Sequence, residues 1–278
     1  MKIKYYGTAA AEGWPGIFCR CPVCVEARRR GGKNLRTRSQ SVIDDRLMVD
    51  FPPDTYLHML FYGLDVPSFN NCIVTHAHED HLYRDDVAMR AHGYSDDVLP
   101  GRFTLYGPDS VVAHLNGLPD WGKDWERLAW KEVFEYVPFE VEGYTVTPML
   151  AAHGQYGNPK LKCYLYDIAK DGERLLYGND TGNFPDPTWE YLRGKRFDLV
   201  SLDCTMLKRK EGRNHMGIED VLGVKRRLLD MGCADEKTVW VITHFSHNGG
   251  ILHEELEEMM APYDILVAYD GLEVTTIK

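Results

Sequence analysis

The segment CIVTHAHEDH, residues 72–81, decides how the rest of this chain is interpreted. Its apolar start leads into four metal-binding side chains within six residues, as in a buried strand that delivers ligands to the rim of a fold. Imidazole and carboxylate groups are preferred ligands of zinc, manganese and iron in hydrolytic sites. One ion cannot easily use four groups from so short a loop, whereas two adjacent ions can. The segment therefore predicts metal-assisted hydrolysis, with the candidate ligands His76, His78, Asp80 and His81.

The same residues could have an ordinary structural role. Histidines at strand ends are often surface residues, and Glu79 and Asp80 could cap a helix that begins there. Three histidines and an aspartate so closely spaced are much harder to explain in that way. The metal interpretation is favoured, and the surface alternative stays open.

Composition and charge limit the classes of protein to be considered. The 278 residues include 44% hydrophobic and 12% aromatic side chains, enough for a full core, so disorder is excluded. A formal charge of −10 argues against broad binding to nucleic acid or anionic membranes. No apolar run approaches the roughly 20 residues of a membrane span, and the strand-like start at residues 1–7 is unlike a signal peptide. We expect a cytoplasmic protein that does not enter a membrane and that could form a homodimer.

Apolar segments and helical patterns alternate along the chain and predict an α/β protein. Several segments are continuous apolar runs, which are typical of strands covered on both faces. No repeat, linker or low-complexity tract divides the chain, so we predict one domain over residues 1–278 with sheets inside and helices outside. The predicted strands are 2–7, 41–51, 71–75, 102–106, 131–138, 143–150, 163–169, 174–178, 197–203, 238–244 and 265–277, and the predicted helices are 53–62, 110–117, 218–231 and 252–261.

Three further strand ends carry residues of ligand type. His153 follows one predicted strand, Asp180 another, and His244 a third. Singly, each could be a surface histidine or a turn aspartate. Four strand ends that all carry ligand types are poorly explained by chance.

This set resembles the metallo-β-lactamase superfamily, in which an HxHxDH loop, a later histidine, a bridging aspartate and a final histidine follow in that order. The resemblance covers nearly the whole chain and implies a four-layer αβ/βα sandwich with two metals at one edge. Two such ions can share a hydroxide and clamp the oxygens of a phosphate. By that likeness the first ion is held by His76, His78 and His153, the second by Asp80, His81 and His244, and Asp180 bridges them.

A second cluster, CRCPVC at residues 19–24, places three thiols within six residues. Paired cysteines so close make a poor disulfide, whereas three thiolates can bind one soft ion such as zinc. His247 is the best fourth ligand because it follows His244 by three residues. Reactive or merely exposed cysteine is the alternative. The other cysteines, expected to be buried and inert, are Cys72, Cys163, Cys204 and Cys233.

The segment at 7–13, the cysteine cluster and the HxxH pair together resemble PhnP-type phosphoribosyl cyclic phosphodiesterases; PqqB-like proteins have a similar cluster but are less similar. In the PhnP-type group a histidine on a late loop is proposed to assist the leaving group, and His215 occupies the matching place before a helix. A helix-start histidine that bonds the backbone is the alternative for His215. The chain departs from the commoner pattern at 82–86, where a glycine-containing turn is usual. We expect this loop near the mouth of the site, so the substrate could differ from a cyclic ribose phosphate.

The function predicted from these features is hydrolysis of a phosphodiester. Asp80 and Asp180 would orient the nucleophile, and His215 would protonate the departing alkoxide. The expected partner is a small anionic phosphate ester, and the expected cofactors are two zinc or manganese ions plus one structural zinc. Basic residues in 28–38 could attract this anion, although a solvated helix end and loop explains most of them better. The alternatives are a tRNA 3′-processing endonuclease, a lactone or ester hydrolase, and a metal-binding accessory protein of cofactor biosynthesis.

Overall fold

The computed structural model of the protein describes residues 1–154, 161–210 and 212–277. Fourteen strands and seven α-helices are assigned within these ranges. The strands are β1 (Lys2–Gly7), β2 (Gln40–Ile43), β3 (Leu47–Val49), β4 (Asn71–Ile73), β5 (Phe103–Gly107), β6 (Leu128–Glu132), β7 (Phe139–Val141), β8 (Tyr144–Leu150), β9 (Tyr164–Lys170), β10 (Glu173–Gly178), β11 (Leu199–Asp203), β12 (Val239–Thr243), β13 (Ile265–Val267) and β14 (Glu273–Thr275). The helices are α1 (Pro22–Arg30), α2 (Thr55–Tyr62), α3 (Arg84–Val87), α4 (Asp109–Asn116), α5 (Asp186–Leu192), α6 (Ile218–Asp230) and α7 (His253–Met260).

The strands form two seven-stranded sheets. The first has the order β14-β1-β2-β3-β4-β5-β6, and the second has the order β13-β12-β11-β10-β9-β8-β7. Strands β3 to β6 run parallel in the first sheet, as do β10 to β13 in the second. Strand β8 is antiparallel to β9, which is antiparallel to β10, so β8 and β10 point the same way. The carboxyl ends of β8, β10, β11 and β12 therefore meet at one edge of the second sheet.

Buried apolar side chains form three clusters, one between each pair of adjacent layers. Residues of both sheets, including Tyr5, Ile43, Tyr166 and Tyr177, pack between the sheets. A second cluster lies between the second sheet and helices that include α6, and a third lies between the first sheet and helices that include α4. This order of helices, sheet, sheet and helices confirms the predicted four-layer αβ/βα sandwich.

Buried tyrosines join the two sheets and position the loop after β4. Tyr5 of the first sheet donates to Ser201 Oγ of the second at 2.8 Å. Tyr166 of the second sheet donates to the carbonyl of Val74 at 2.7 Å. A buried tyrosine hydroxyl needs a partner of this kind, so these bonds help to fix the register of one sheet on the other. The bond to Val74 lies two residues before His76, so it also holds the start of the loop after β4.

The structure divides two predicted strands and shifts a third. Residues 41–51 contain a turn at Asp44 and Asp45, which both have positive φ (47° and 54°), so β2 and β3 form a hairpin. Residues 265–277 contain β13 and β14, which belong to different sheets. The strand predicted at 131–138 corresponds to β6, which begins three residues earlier and already ends at Glu132. Aspartate tolerates the left-handed backbone of such turns, and the apolar pattern alone does not show where a turn interrupts it.

Helices α1, α3 and α5 were not among the predicted helices. Helix α1 begins at Pro22, after Cys21, whose side chain accepts a bond from the N–H of Cys24. Helices α3 and α5, of 4 and 7 residues, are too short to carry much periodic signal, whereas α1 lies within the cysteine cluster and ends in three arginines. Among the described residues, no helix has the length and apolar character needed to cross a bilayer. The single domain over 1–278 stays a prediction.

Candidate metal centre

Loops from both sheets bring the predicted ligands of the main site together. His76 to His81 follow β4 of the first sheet, whereas His153, Asp180 and His244 follow β8, β10 and β12 of the second. Asp180 and His244 have positive φ angles of 57° and 63°. Left-handed backbone is uncommon for such residues and is held only by a well-determined surrounding structure.

The first group of donor atoms comprises one atom each from His76, His78, His153 and Asp180, all within 4.8 Å of one another. His76 Nε2 lies 2.9 Å from His78 Nδ1, and His153 Nε2 lies 3.2 Å from the same atom. Asp180 Oδ2 lies 3.3 Å from His76 Nε2. Three ring nitrogens and a carboxylate oxygen thus converge on one small volume.

The second group comprises Asp80, His81, Asp180 and His244, again with donor atoms within 4.8 Å. His81 Nε2 lies 3.2 Å from His244 Nε2 and 3.4 Å from Asp80 Oδ2. Asp180 Oδ2 lies 3.3 Å from His81 Nε2, so the same carboxylate oxygen reaches both groups. The structure therefore brings all seven predicted residues together, with Asp180 in the shared position.

In four of the five histidines of the two groups, the described contacts give the ring nitrogen outside the groups a partner of its own, which fixes how that ring is turned. A donor N–H on that side leaves the lone pair of the other nitrogen free for a metal ion. The partners are Asp50 Oδ2 for His81 Nδ1 at 2.7 Å, Thr205 Oγ1 for His244 Nδ1 at 2.7 Å, the Asn214 carbonyl for His153 Nδ1 at 3.1 Å, and Thr75 Oγ1 for His76 Nδ1 at 3.0 Å.

The electrostatics of the site also favour a cation. Burial, and then the imidazole of His81, lower the pKa of His76 well below its usual range, so this ring is neutral. Burial would raise the pKa of Asp180, but the surrounding histidines, with His153 and His244 foremost, lower it well below its usual range. Burial would lower the pKa of His81, but nearby carboxylates, with Asp80 foremost, raise it well above its usual range.

One buried atom gives a direct test of fit. Asp180 Oδ1 accepts no hydrogen bond from the described residues, although His153 Nδ1 lies 3.0 Å away. A buried carboxylate oxygen without a donor is costly, and the ring nitrogens of each group are crowded to about 3 Å from one another. Divalent cations would satisfy both, and the donor set is of the kind that zinc and manganese accept. These residues fit two metal ions.

His215 lies beside the shared carboxylate. Its Nδ1 is 3.1 Å from Asp180 Oδ1 and donates to Asp203 Oδ2 at 3.3 Å. Its ring is also stacked with that of His244, at 5.9 Å between centroids. Burial would lower the pKa of His215, but the carboxylates of Asp180 and Asp203 raise it to about 11. The structure places the predicted proton donor next to the candidate metal ligands.

Sequence reasoning missed Asp50, Asp203 and Thr205. Asp50 follows β3 and accepts from His81, and Asp203 ends β11. Thr205 Oγ1 donates to Asp203 Oδ2 at 2.8 Å and accepts from His244 Nδ1. Both aspartates lie at the end of apolar strands, which is the signal that identified Asp180. Thr205 does not end an apolar strand, so no sequence pattern of this kind identifies it.

Thr205→Val is expected to weaken metal binding about 10- to 100-fold, the cost commonly seen when the partner of a metal-binding histidine is removed. Valine keeps the shape but removes the acceptor at 2.7 Å from Nδ1 of buried His244, and leaves Asp203 Oδ2 at 3.4 Å as the nearest carboxylate oxygen. The measurement is a competition titration of the ions against a chelator. Thr205→Ser, which keeps the hydroxyl, should bind nearly as the parent does. An affinity for Thr205→Val within threefold of the parent would contradict this role.

The cysteine cluster is assembled as predicted. Cys19, Cys21 and Cys24 place their Sγ atoms, with a ring nitrogen of His247, within 4.8 Å of one another. His247 Nδ1 is 3.7 Å from Cys19 Sγ and 3.6 Å from Cys21 Sγ. The backbone N–H of Cys24 points at Cys21 Sγ and that of Gly16 at Cys24 Sγ, a pattern that supports thiolates.

The thiols of Cys21 and Cys24 differ in acidity. Burial would raise the pKa of Cys21, but hydrogen bonds, with that from the Cys24 backbone foremost, lower it to about 6. Burial and the neighbouring sulfurs raise the pKa of Cys24 to about 12. Three thiolates cannot all be ionised so close together without a cation, and a tetrahedral zinc ion would supply it. The four residues therefore fit a closed zinc site.

A cavity of about 480 Å³ opens onto the main site. None of residues 82–86, expected near its mouth, is among the described residues that line it. The reason is that the Phe51 N–H donates to the His81 carbonyl and the Tyr83 N–H donates to the Phe51 carbonyl, both at 2.7 Å. These bonds draw the chain away from the cavity beside β3, and Leu82 is buried. The lining residues are Ala10, Ala11, Glu12, His78, Asp80, His153, Gly154, Asp180, Thr205, Met206, Arg209, Asn214, His215, His244, Ser246 and Asn248.

The basic stretch at 28–38 is only partly solvated. Arg29 and Arg30 lie at the end of α1 and pair with Glu26. Arg36, in contrast, is buried and donates to Thr8 Oγ1 and to the carbonyl of Ala268. None of the stretch lines the described cavity, so attraction of substrate by these residues gains no support.

Sequence comparison identifies one family. The model described as "Beta-lactamase superfamily domain" matches residues 53–245, which is more than half of the chain. In sequence, no curated protein matches the chain.

Solved structures resemble the whole chain. A diphosphatase from the PhnP family is 23% identical with a TM-score of 0.74, and the match covers 99% of this chain and 98% of that one. Zinc-bound PqqB from Methylobacterium extorquens is 19% identical with a TM-score of 0.79, covering 99% and 100%. The short form of human tRNase Z is 13% identical with a TM-score of 0.67, covering 100% of both chains. At these identities the likeness is one of fold.

Proposed function

The chain belongs to the beta-lactamase superfamily, and from that premise we propose that it is a metal-dependent hydrolase that cleaves a small phosphodiester. The observation that carries the proposal is the convergence of seven side chains on two adjacent sites that share Asp180. Bound there, two divalent cations would activate water near neutral pH and offset the charge of a phosphate ester. We propose zinc or manganese for this pair and zinc for the cysteine cluster.

The residues around the pair have separate tasks in this proposal. Asp80 and Asp180 are acceptors that orient the attacking water. His215, which lines the cavity, is held at Nδ1 by Asp203. When the ring is protonated, the proton on Nε2 is available to the departing alkoxide. The cavity is within the usual size range of small-molecule sites, which supports a substrate of nucleotide size.

His215→Asn is expected to lower kcat about 10²- to 10⁴-fold on a ribonucleoside 2′,3′-cyclic phosphate, whose alkoxide leaving group needs a proton. The decrease of kcat on bis-p-nitrophenyl phosphate should be less than about tenfold, because nitrophenolate leaves without protonation. Steady-state rates on both substrates, with metal content measured on the same samples, make the comparison. Equal losses on the two substrates, or loss of an ion, would show that His215 is not the proton donor.

Elemental analysis and a substrate screen test the proposal itself. The purified protein is assayed for bound metals and for cleavage of cyclic nucleotides, phosphoribosyl cyclic phosphate and bis-p-nitrophenyl phosphate. We expect phosphodiester cleavage that a chelator removes and that His76→Ala abolishes together with metal binding. The proposal fails if the metal-loaded protein cleaves no phosphodiester and His76→Ala still binds two ions.

The same screen also tests the other predicted functions, each with its own substrate. A tRNA precursor tests the endonuclease alternative, which the net charge of −10 disfavours. Lactones test the ester hydrolase alternative, which the same ligands would serve. A complete set of seven donor residues favours catalysis over the accessory role. We propose a cytoplasmic location because the cysteine cluster requires reduced thiols.

A further inference from the structure

Glu12 lies in the wall of the cavity but outside both groups of candidate metal ligands. It belongs to a turn that is closed by a bond from the Gly13 N–H to the Ala10 carbonyl at 2.9 Å, and its side chain is 33% exposed. Ser246 and Asn248 line the cavity with it. Nothing in the metal chemistry proposed above uses this carboxylate.

The carboxylate of Glu12 is held in place from behind. Ser246 Oγ donates to its Oε1 at 2.5 Å, and His247 Nε2 lies 3.7 Å from the same oxygen. Ser246 is buried and stands between His244 of the main site and His247 of the cysteine cluster. The loop that carries both histidines therefore also carries the anchor of Glu12.

The turn itself is fastened to the same loop. The Ala10 N–H donates to the Phe245 carbonyl at 3.0 Å, and the Phe245 N–H donates to the Thr8 carbonyl at 2.8 Å. A carboxylate tied at its backbone and at one oxygen loses little freedom when it meets a ligand. Among the described contacts, Glu12 Oε2 has no partner. This oxygen is placed to accept a bond from whatever fills the cavity.

The negative charge of Glu12 restricts which chemical groups of a ligand can lie against this part of the cavity wall. A carboxylate accepts strong hydrogen bonds from hydroxyl or amino groups and disfavours a second anionic group. The scissile phosphate would lie at the ligand cluster on the floor of the cavity, so the organic part of the ester is what would reach Glu12. Resting on the phosphodiesterase function proposed above, we infer that Glu12 is a specificity-determining residue that accepts a hydrogen bond from a hydroxyl or amino group on that organic part.

Glu12→Gln tests the inference because it keeps the shape of the side chain and removes its charge. On a ribonucleoside 2′,3′-cyclic phosphate, which has a free hydroxyl donor, we expect KM to rise about tenfold, the loss of one charge-assisted bond, with kcat nearly unchanged. On bis-p-nitrophenyl phosphate, which has no such donor, both constants should stay within twofold. Glu236→Gln, an exposed change of the same charge outside the cavity, controls for net charge.

A binding measurement keeps the test independent of turnover. Calorimetry on the metal-loaded protein compares ribose 5-phosphate with inorganic phosphate, and Glu12→Gln should lower the ratio of the two affinities about tenfold. If the parent cleaves no phosphodiester, the proposed function fails while this ratio still reports on Glu12. Equal KM changes on both substrates, an unchanged affinity ratio, or loss of zinc from the cysteine cluster would show that Glu12 only braces the loop, and would overturn the inference.

Discussion

Replacing Asp180 by asparagine is expected to remove at least one of the two ions and nearly all activity. Asp180 is buried, and its Oδ2 lies 3.3 Å from both His76 Nε2 and His81 Nε2. Asparagine fits the space but removes the only charge shared by both sites. Loss of one partner from a buried ionic contact costs about 3–5 kcal/mol, which corresponds to about 10²- to 10⁴-fold in metal affinity.

The measurements are metal content, chelator competition and kcat on bis-p-nitrophenyl phosphate. Asp171→Asn is a matched control, because Asp171 also has a left-handed backbone, with φ 51°, but is exposed on the turn between β9 and β10. It should retain two ions and the parent rate. If Asp180→Asn binds both ions and keeps its rate within tenfold, Asp180 does not bridge them.

Cys24→Ser is expected to lose one zinc ion per chain and to lower Tm by about 6 °C or more. Cys24 is fully buried, and without its thiolate the remaining sulfurs and His247 no longer form a four-ligand site. Unfolding would become easier by about 3 kcal/mol or more, as when a buried ionic partner is removed, and each kcal/mol corresponds to about 2–4 °C in a chain of this size.

Zinc content separates this effect from ordinary packing loss. Cys233→Ser is the control, because Cys233 is equally buried but donates to the Leu192 carbonyl, away from the cluster. This variant should lose some stability and no zinc. A Cys24→Ser protein that retains the zinc, with Tm within 2 °C of the parent, would argue for an inert cysteine cluster.

The ligand types could be identified from the sequence because an apolar run followed by a polar residue marks a strand end, as at His153, Asp180 and His244. That these residues meet the loop at 76–81, which belongs to the other sheet, is implied by the resemblance to the metallo-β-lactamase superfamily and not by the strand pattern. The same signal precedes Asp50 and Asp203, but a turn aspartate gives an identical pattern. Only the folded structure shows that these two carboxylates meet histidine nitrogens at 2.7 Å and 3.3 Å.

Contacts between distant parts of the chain set the limit of prediction. Glu12 and Ser246 are separated by more than two hundred residues, yet their side chains touch in the cavity wall. Arg36 belongs to a stretch that looked solvated and is instead buried against the Ala268 carbonyl. Local pattern reports which face of an element is apolar, but it does not report which loops come together.

Each candidate ion takes ligands from both sheets, since His76 to His81 come from the first sheet and His153, Asp180 and His244 from the second. Bound metal ions would therefore join the two halves of the sandwich at this edge. Binding to the folded form alone adds stability that grows with the logarithm of free metal concentration. Amide hydrogen exchange at the ends of β4 and β10 should slow as metal is added. The rate at which the two sheets separate at this edge would then depend on the concentration of free metal, even when no substrate is present.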